Sequence, residues 1–366
     1  MSGLWAWTLP AVIGGCYYVL AIVAALRRKR LPGGVGPAVS ILKPVYGWDD
    51  RLSAAIASHA RQEYPEFELL LGVGDTDTRA LEEIRNAQRK FPKCAIRIIP
   101  IRTVMANGKA GSLFDLAAAA RHPVLVINDA DICVESDYLR KVVGPLQDPR
   151  IGLVTALYRA AATSFPARFE ALGVAAEFAP SVLVARLLGV AEFALGSTMA
   201  LRASDLERIG GFRVIGDYLA DDYQLGARIT GLGLHVAFAD TVVETTLGAG
   251  SWAEVWRHQV RWSRTVRVSR TSGYYGYIAT QATFWSLVAA AAGYWGVAGL
   301  VIAIRMAAGI LTAGQVLDDH ASAARFWMIP LRDLFGSAVW LAASVGRTVE
   351  WRGKRLKLSA DGRILT

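Results

Sequence analysis

Pro123-Val124-Leu125-Val126-Ile127-Asn128-Asp129-Ala130-Asp131 is the stretch on which the fold turns. Its first five residues are apolar and β-rich, as in a strand buried on both faces. The run closes on two carboxylates one residue apart. Working outward, short β-rich runs alternate with helical patterns. Strands are predicted over residues 38–42, ending at Lys43-Pro44, over 67–73, before Gly74-Asp75-Thr76-Asp77, and over 95–99. Helices are predicted over 51–62, over 78–90 with Thr78 as N-cap, and over the Ala-rich 109–120. Such repetition implies an α/β fold with an open, mainly parallel sheet and helices on both faces. In such sheets ligands collect at the carboxyl ends of the strands, where Asp75, Asp77, Asp129 and Asp131 fall.

Beyond a further strand at 152–158, residues 165–201 become unusually apolar, with Arg168, Glu170, Glu177, Arg186 and Glu192 as their charges. A membrane crossing and an interfacial or buried segment are both open. The even spread of charge favours the second, as a floor for a greasy acceptor. Short helices are predicted at 203–209, stopped by Gly210-Gly211, and at 221–231.

The chain has 366 residues, 53% of them hydrophobic, and a mean hydropathy of +0.32, high for a soluble protein. Residues 4–26 are nearly uncharged and long enough to cross a bilayer as a helix. Arg27-Arg28-Lys29-Arg30 follows, so the positive-inside rule puts the next domain in the cytoplasm. Charge after the apolar run, rather than before it, marks an uncleaved anchor. The expected organisation is an anchor at 1–30, a linker at 31–37 and a cytoplasmic domain at 38–272 containing the apolar segment 165–201. A membrane region at 273–346 and a basic tail at 347–366 complete it. That membrane region holds 277–317, broken by Arg305, and 326–345, whose Arg332 and Asp333 fit best beside an interface; two and three spans both remain open. Lys and Arg exceed Asp and Glu by nine, which suits anionic headgroups and phosphorylated substrates. Without a basic stripe interleaved with aromatics, no nucleic-acid partner is expected. Cys16, Cys94 and Cys133 share no metal-type spacing and read as thiols in a reducing compartment.

Asp129 and Asp131 are the candidate ligands for Mn2+ or Mg2+, hard cations that share oxygen ligands with substrate phosphates. The alternative is a pair of solvated turn acids. Asp75 is either near a nucleotide or an N-terminal charge for the helix after it. Lys109, in Asn107-Gly108-Lys109-Ala110-Gly111, suits a phosphate or faces solvent. Asp222, in Ala220-Asp221-Asp222-Tyr223, is the candidate general base for an attacking hydroxyl, with Asp221 as its rival. In His258-Gln259-Val260-Arg261-Trp262, Arg261 can hold a departing diphosphate and Trp262 can offer a flat apolar face to a sugar or lipid. A headgroup anchor fits that face equally well. His258 and His235 read as structural.

The ordered set of pieces resembles membrane-bound glycosyltransferases of the processive family 2 type, and most of all family 21, the ceramide glucosyltransferases and bacterial hopanoid-biosynthesis relatives. The pieces are Val39-Ser40-Ile41-Leu42-Lys43-Pro44, Gln62-Glu63-Tyr64-Pro65, Asp75, Asp129-Ala130-Asp131, Gly152-Leu153-Val154-Thr155, Gly210-Gly211-Phe212, Asp221-Asp222-Tyr223 and Gln259-Val260-Arg261-Trp262. The resemblance implies a GT-A fold, a nucleotide-diphosphate sugar donor such as UDP-glucose or UDP-N-acetylglucosamine, a divalent metal and inversion. It also implies a lipid acceptor in the bilayer, ceramide or a polyhydroxylated hopanoid, and a multi-pass protein of the cell inner membrane. It places Asp75 near the nucleotide, Asp129 and Asp131 on the metal motif, Asp222 on the base and Gln259, Arg261 and Trp262 on the Q-x-x-R-W motif. With Pro44 and Lys109, the expected donor residues are Pro44, Asp75, Lys109, Asp129, Gln259 and Arg261, and Trp262 is the expected acceptor residue. Asp131 stands where animal ceramide enzymes tend to have a small residue, and Ala220 replaces a common acidic residue. Residues 180–186 resemble the hopanoid branch. A polysaccharide synthase needs more spans to thread its product, so transfer of one sugar is expected; a processive family 2 synthase and a non-catalytic lipid-binding scaffold are the alternatives.

Overall fold

The computed structural model describes residues 2–74, 77–190, 192–248, 250–351 and 353–365, with side chains from Trp7 onward. In chain order the elements are α1 (Ser2–Leu26), β1 (Val39–Pro44), α2 (Leu52–Ala60), β2 (Phe67–Val73), α3 (Thr78–Lys90), β3 (Ala95–Pro100), α4 (Gly108–Ala119), β4 (Val124–Ile127) and α5 (Tyr138–Val143). Then come β5 (Ile151–Ala162), α6 (Phe165–Gly173), a π-helical turn (Val174–Phe178), α7 (Ala179–Leu187), β6 (Met199–Arg202), α8 (Ala203–Arg208), α9 (Asp221–Gly231) and β7 (His235–Leu247). The chain continues through α10 (Trp252–Ser269), α11 (Thr271–Gly276), α12 (Ala282–Ala291), α13 (Trp295–Leu311), α14 (His320–Ala323) and α15 (Ile329–Ala343) to β8 (Thr348–Trp351), β9 (Lys354–Leu358) and β10 (Ile364–Leu365).

Two units emerge. A sheet unit comprises Arg30–Tyr158 and Ala191–Thr246; a helical unit comprises Met1–Lys29, Arg159–Val190 and Leu247–Thr366. The sheet has the strand order β3-β2-β1-β4-β6-β5-β7. Alternation along β1 and β4 sends Val39, Ile41, Val124 and Val126 to one face, where Ile56 of α2, Ile84 of α3 and Val142 of α5 cover them. Leu42, Leu125 and Ile127 face the other way, onto Leu113 of α4 and Ile229 of α9. Helices therefore cover both faces, as expected.

The sheet itself is mixed, a correction to the mainly parallel sheet expected. Its β3-β2-β1-β4 half is parallel, but β6 runs antiparallel to both β4 and β5. This strand, Met199–Arg202, lies at the end of the apolar stretch 165–201, where its four residues continue the apolar run and carry no period of their own. Residues 165–187 of that stretch form α6, the π turn and α7, which are largely buried in the helical unit.

In the helical unit, Trp7–Leu26 and Trp295–Val316 are long and apolar enough to cross a membrane. Ala11, Tyr18 and Ala21 of α1 pack with Ala282 and Ala289 of α12 and with Val301 and Ala308 of α13. Small residues let these helices approach: a Cβ on Gly14 would sit 2.9 Å from the Ala282 Cα. Residues 277–317 break at Gly293, whose φ of +90° favours glycine, and so yield α12 and α13. Arg305 and Asp333 are both buried and form a two-pronged ion pair, at 2.6 and 2.9 Å, with Thr283 donating to Asp333 at 2.5 Å. The charges that interrupt the two apolar segments thus neutralise each other. The tail is not a plain basic extension: β8, β9 and β10 form a three-stranded antiparallel sheet that buries Val349, Leu358 and Ile364.

Candidate active site

In the sheet unit, parallel pairing sets the ends of β1, β2 and β4 level, with Pro44 opposite Gly72 and Leu42 opposite Ile127. Pro44 is buried at the end of its strand. The acidic turn after β4 is held from three directions. Buried Lys43 donates from Nζ to the carbonyls of Asp129 at 2.8 Å and Ile132 at 3.3 Å. Burial pushes the Lys43 ammonium down to about 8, against the pull of Asp131. Buried Asn128 donates to the Tyr138 hydroxyl at 2.9 Å and the Ser197 carbonyl at 2.8 Å. One oxygen of Asp131 accepts from the Thr245 hydroxyl at 2.5 Å and the Thr246 amide at 2.9 Å.

Lys109 does not face solvent. Asn107 caps α4, accepting from the amides of Lys109 and Ala110 at 2.9 and 3.2 Å, and its own amide donates to the Tyr218 carbonyl at 2.7 Å. This cap aims the Lys109 ammonium at Asp129, 2.7 Å away, and at Asp221, 3.5 Å away. Burial opposes its charge, but Asp129, Asp221 and Asp222 outweigh that and hold it well above the usual lysine range.

Asp222 lies in the first turn of α9. Its two oxygens accept from the amides of Gly196 at 2.9 Å and Tyr223 at 2.8 Å. Gly196 gives the carboxylate room: a Cβ there would lie 3.1 Å from Asp222 Oδ2 and 3.4 Å from Lys109 Nζ. Burial, then the charge of neighbouring Asp221, raises Asp222 to about 6, with Lys109 and the two amides pulling the other way. Asp221 is distinguished from it by the direct ion pair to Lys109. Asp75 lies outside the described residues, and Asp77 accepts from the Gly47 amide at 2.7 Å.

Asp129 and Asp131 are suited to a hard cation that completes its shell with donor phosphates. The Asp129 side chain is 44% exposed, so its carboxylate is open to solvent and ligand. Among the described residues, no group of three or more His, Cys, Asp or Glu side chains gathers in a metal-binding cluster.

In the helical unit, a capping box between Ser251 and Glu254 starts α10. His258, Gln259, Arg261 and Trp262 lie on this helix, all partly buried. Glu170 of α6, fully buried, accepts on one oxygen from His258 Nδ1 at 2.6 Å and Gln259 Nε2 at 2.8 Å. Arg332 of α15 donates to Gln259 Oε1 at 2.8 Å and pairs with Glu177 at 3.1 Å. The Tyr277 hydroxyl also donates to Glu177, at 2.7 Å. The His258 ring lies 4.2 Å from that of Trp262, centre to centre. Trp262 lines a cleft of about 240 Å³ with Val266, Tyr274, Val339 and Trp340. His258 is thus held between Glu170 and Trp262.

Several residues of these sites carried no role in the sequence reading. Lys43 had a signal, a cation inside an otherwise apolar strand. Glu170, Glu177 and Arg332 were visible as charges in apolar runs, but nothing local names their partners.

The model of glycosyl transferase family 21 matches residues 6–364. Ceramide glucosyltransferase 1 of Caenorhabditis elegans is 25% identical over 390 residues, covering 97% of this chain and 81% of that protein. Ceramide glucosyltransferase 3 of the same organism is 26% identical over 245 residues, covering 63% and 53%. Among solved structures, mannosyltransferase PcManGT from Pyrobaculum calidifontis, in complex with GDP-Man and Mn2+, superposes with a TM-score of 0.58 at 18% identity, covering 92% of this chain and 97% of that one. That likeness is one of fold, a GT-A-like mixed sheet with helices. With the family model spanning nearly the whole chain, the protein belongs to glycosyl transferase family 21 and is a nucleotide-sugar-dependent glycosyltransferase.

Proposed function

We propose that the protein moves one sugar, with inversion, from a nucleotide-diphosphate sugar to a hydroxyl of a membrane lipid, with Asp222 as the general base. The observation that carries this is the state of Asp222: a carboxylate raised to about 6 and held by two backbone amides. A base of that strength is ionised at neutral pH and still able to take a proton in the transition state. The acceptor O–H gives its proton to Asp222, its oxygen bonds to the anomeric carbon, and the bond from that carbon to the diphosphate breaks. Asp129 and Asp131 are the residues that would hold Mn2+ or Mg2+, which when bound supplies positive charge for the departing diphosphate. Lys109 balances the carboxylates around the base. Gln259 and Arg261 are assigned to the donor and Trp262 to the acceptor; Pro44 and Asp75 keep the donor roles expected of them.

The lipid acceptor is supported by the ceramide glucosyltransferases among the relatives and by the two helices of membrane-crossing length. The basic run Arg27-Arg28-Lys29-Arg30 supports a multi-pass protein of the inner membrane with its sheet unit in the cytoplasm. UDP-glucose with ceramide is the first pair to test. UDP-N-acetylglucosamine and a polyhydroxylated hopanoid come second.

Detergent-purified protein is incubated with a panel of nucleotide sugars against ceramide, diacylglycerol and a polyhydroxylated hopanoid, with and without Mn2+ or Mg2+, and products are read by mass. A metal-dependent product one sugar heavier than one lipid is expected. A ladder of products, or neither product nor donor hydrolysis with any pair, contradicts the proposal.

A further inference from the structure

Resting on the donor role of Gln259, we infer that Glu170 and Arg332 are positioning residues that lock the Gln259 side chain in one orientation. The amide is gripped at both ends by opposite charges. Its N–H group donates to the Glu170 carboxylate at 2.8 Å, and its carbonyl accepts from the Arg332 guanidinium at 2.8 Å. A carboxylate only accepts and a guanidinium only donates. Rotating the amide by half a turn would set oxygen against oxygen and N–H against N–H, so one orientation alone is allowed. By the same count, Gln259 keeps one N–H and one carbonyl lone pair for a ligand.

The cost of this arrangement shows that it is more than packing. Glu170 is fully buried, and its second oxygen has no hydrogen-bond partner. Arg332 is 3% exposed, and its Nε likewise has none. Unpaired buried polar atoms cost stability, and an apolar pair of similar volume would avoid that cost. The surroundings are shaped to admit the guanidinium: a Cβ on Gly173 would lie 2.3 Å from Arg332 Nε, and one on Gly336 3.2 Å from Nη1. Glu170 also fixes His258. The contact at Nδ1 puts the imidazole proton there when the ring is neutral, and that ring packs on Trp262. Two charges from the apolar segments thus orient three residues of α10.

The test is a double-mutant cycle on the full-length protein, with donor KM, acceptor KM, kcat and Tm measured for each variant. E170A is expected to lower kcat/KM for the donor about 10- to 100-fold, the range of a lost charge-assisted hydrogen bond. The loss should fall on donor KM and spare acceptor KM. E170Q, which keeps a carbonyl acceptor for both donors, should recover most of it. The decisive arm is E170A/Q259A, which should be no worse than Q259A alone. R332K with Q259A gives a second cycle from the opposite side, should E170A not fold. Losses that add in both cycles, or wild-type kinetics for both E170A and R332K, overturn the inference while leaving the donor role of Gln259 standing. Wild-type kinetics for Q259A would overturn that role and the inference with it.

Discussion

The candidate site of the sheet unit and the buried ion pairs of the helical unit balance their carboxylates differently. In the sheet unit Asp129, Asp221 and Asp222 share the single ammonium of Lys109. In the helical unit two pairs match one to one, Asp333 with Arg305 and Glu177 with Arg332, and Glu170 accepts a hydrogen bond from the His258 ring. Burial, reinforced by the surplus of negative charge, leaves Asp222 with a raised affinity for protons, and that is the property a base needs. The effect of matched pairs is to fix helices and side chains in place. Charge imbalance on top of burial distinguishes the surroundings of Asp222 from these matched pairs.

The largest test of that contrast is D222N. It should lower kcat by about 10²- to 10⁴-fold while leaving donor binding, read by titration with nucleotide diphosphate, nearly unchanged. Breaking a matched pair should do the reverse. R305M or D333N should each cost about 3–5 kcal/mol of stability by leaving a buried charge alone. The double change to apolar residues should restore much of the lost Tm, and kcat in the folded fraction should stay close to wild type. G196A pushes a methyl to within 3.1 Å of the base, and should cost about 1–3 kcal/mol, expressed mainly in kcat. The finest test is K109M. Lys109 lowers the Asp222 pKa, so its removal should move the acid limb of the kcat profile to higher pH. An unmoved limb would mean that the shared ammonium does not set the base.

The parallel half of the sheet was legible because its signals are local. The bounds of β2, α3 and α9 coincide with runs closed by turn residues or acids. Asp129, Asp131 and Asp222 stood out for the same reason, since they end a strand or begin a helix. The strand β6 was hidden because four residues at the end of a long apolar stretch carry no period of their own. The strands of the tail were hidden by Lys354, Arg355 and Lys357, exposed charges that read as a basic extension. The partners of Glu170 and Arg332 were illegible for a stronger reason. Gln259 lies 89 residues from one and 73 from the other, and only the packing of α6, α10 and α15 brings them together.

The most direct measurement is kcat against pH for wild type and D222N, with donor and acceptor saturating. A carboxylate raised to about 6 is a base above that pH and is protonated below it. The wild-type rate should therefore hold near neutrality and fall about tenfold per pH unit below about 6, and D222N should be slow with no such limb. An acid limb that persists unchanged in D222N, or a D222N enzyme as fast as wild type, would contradict Asp222 as the base.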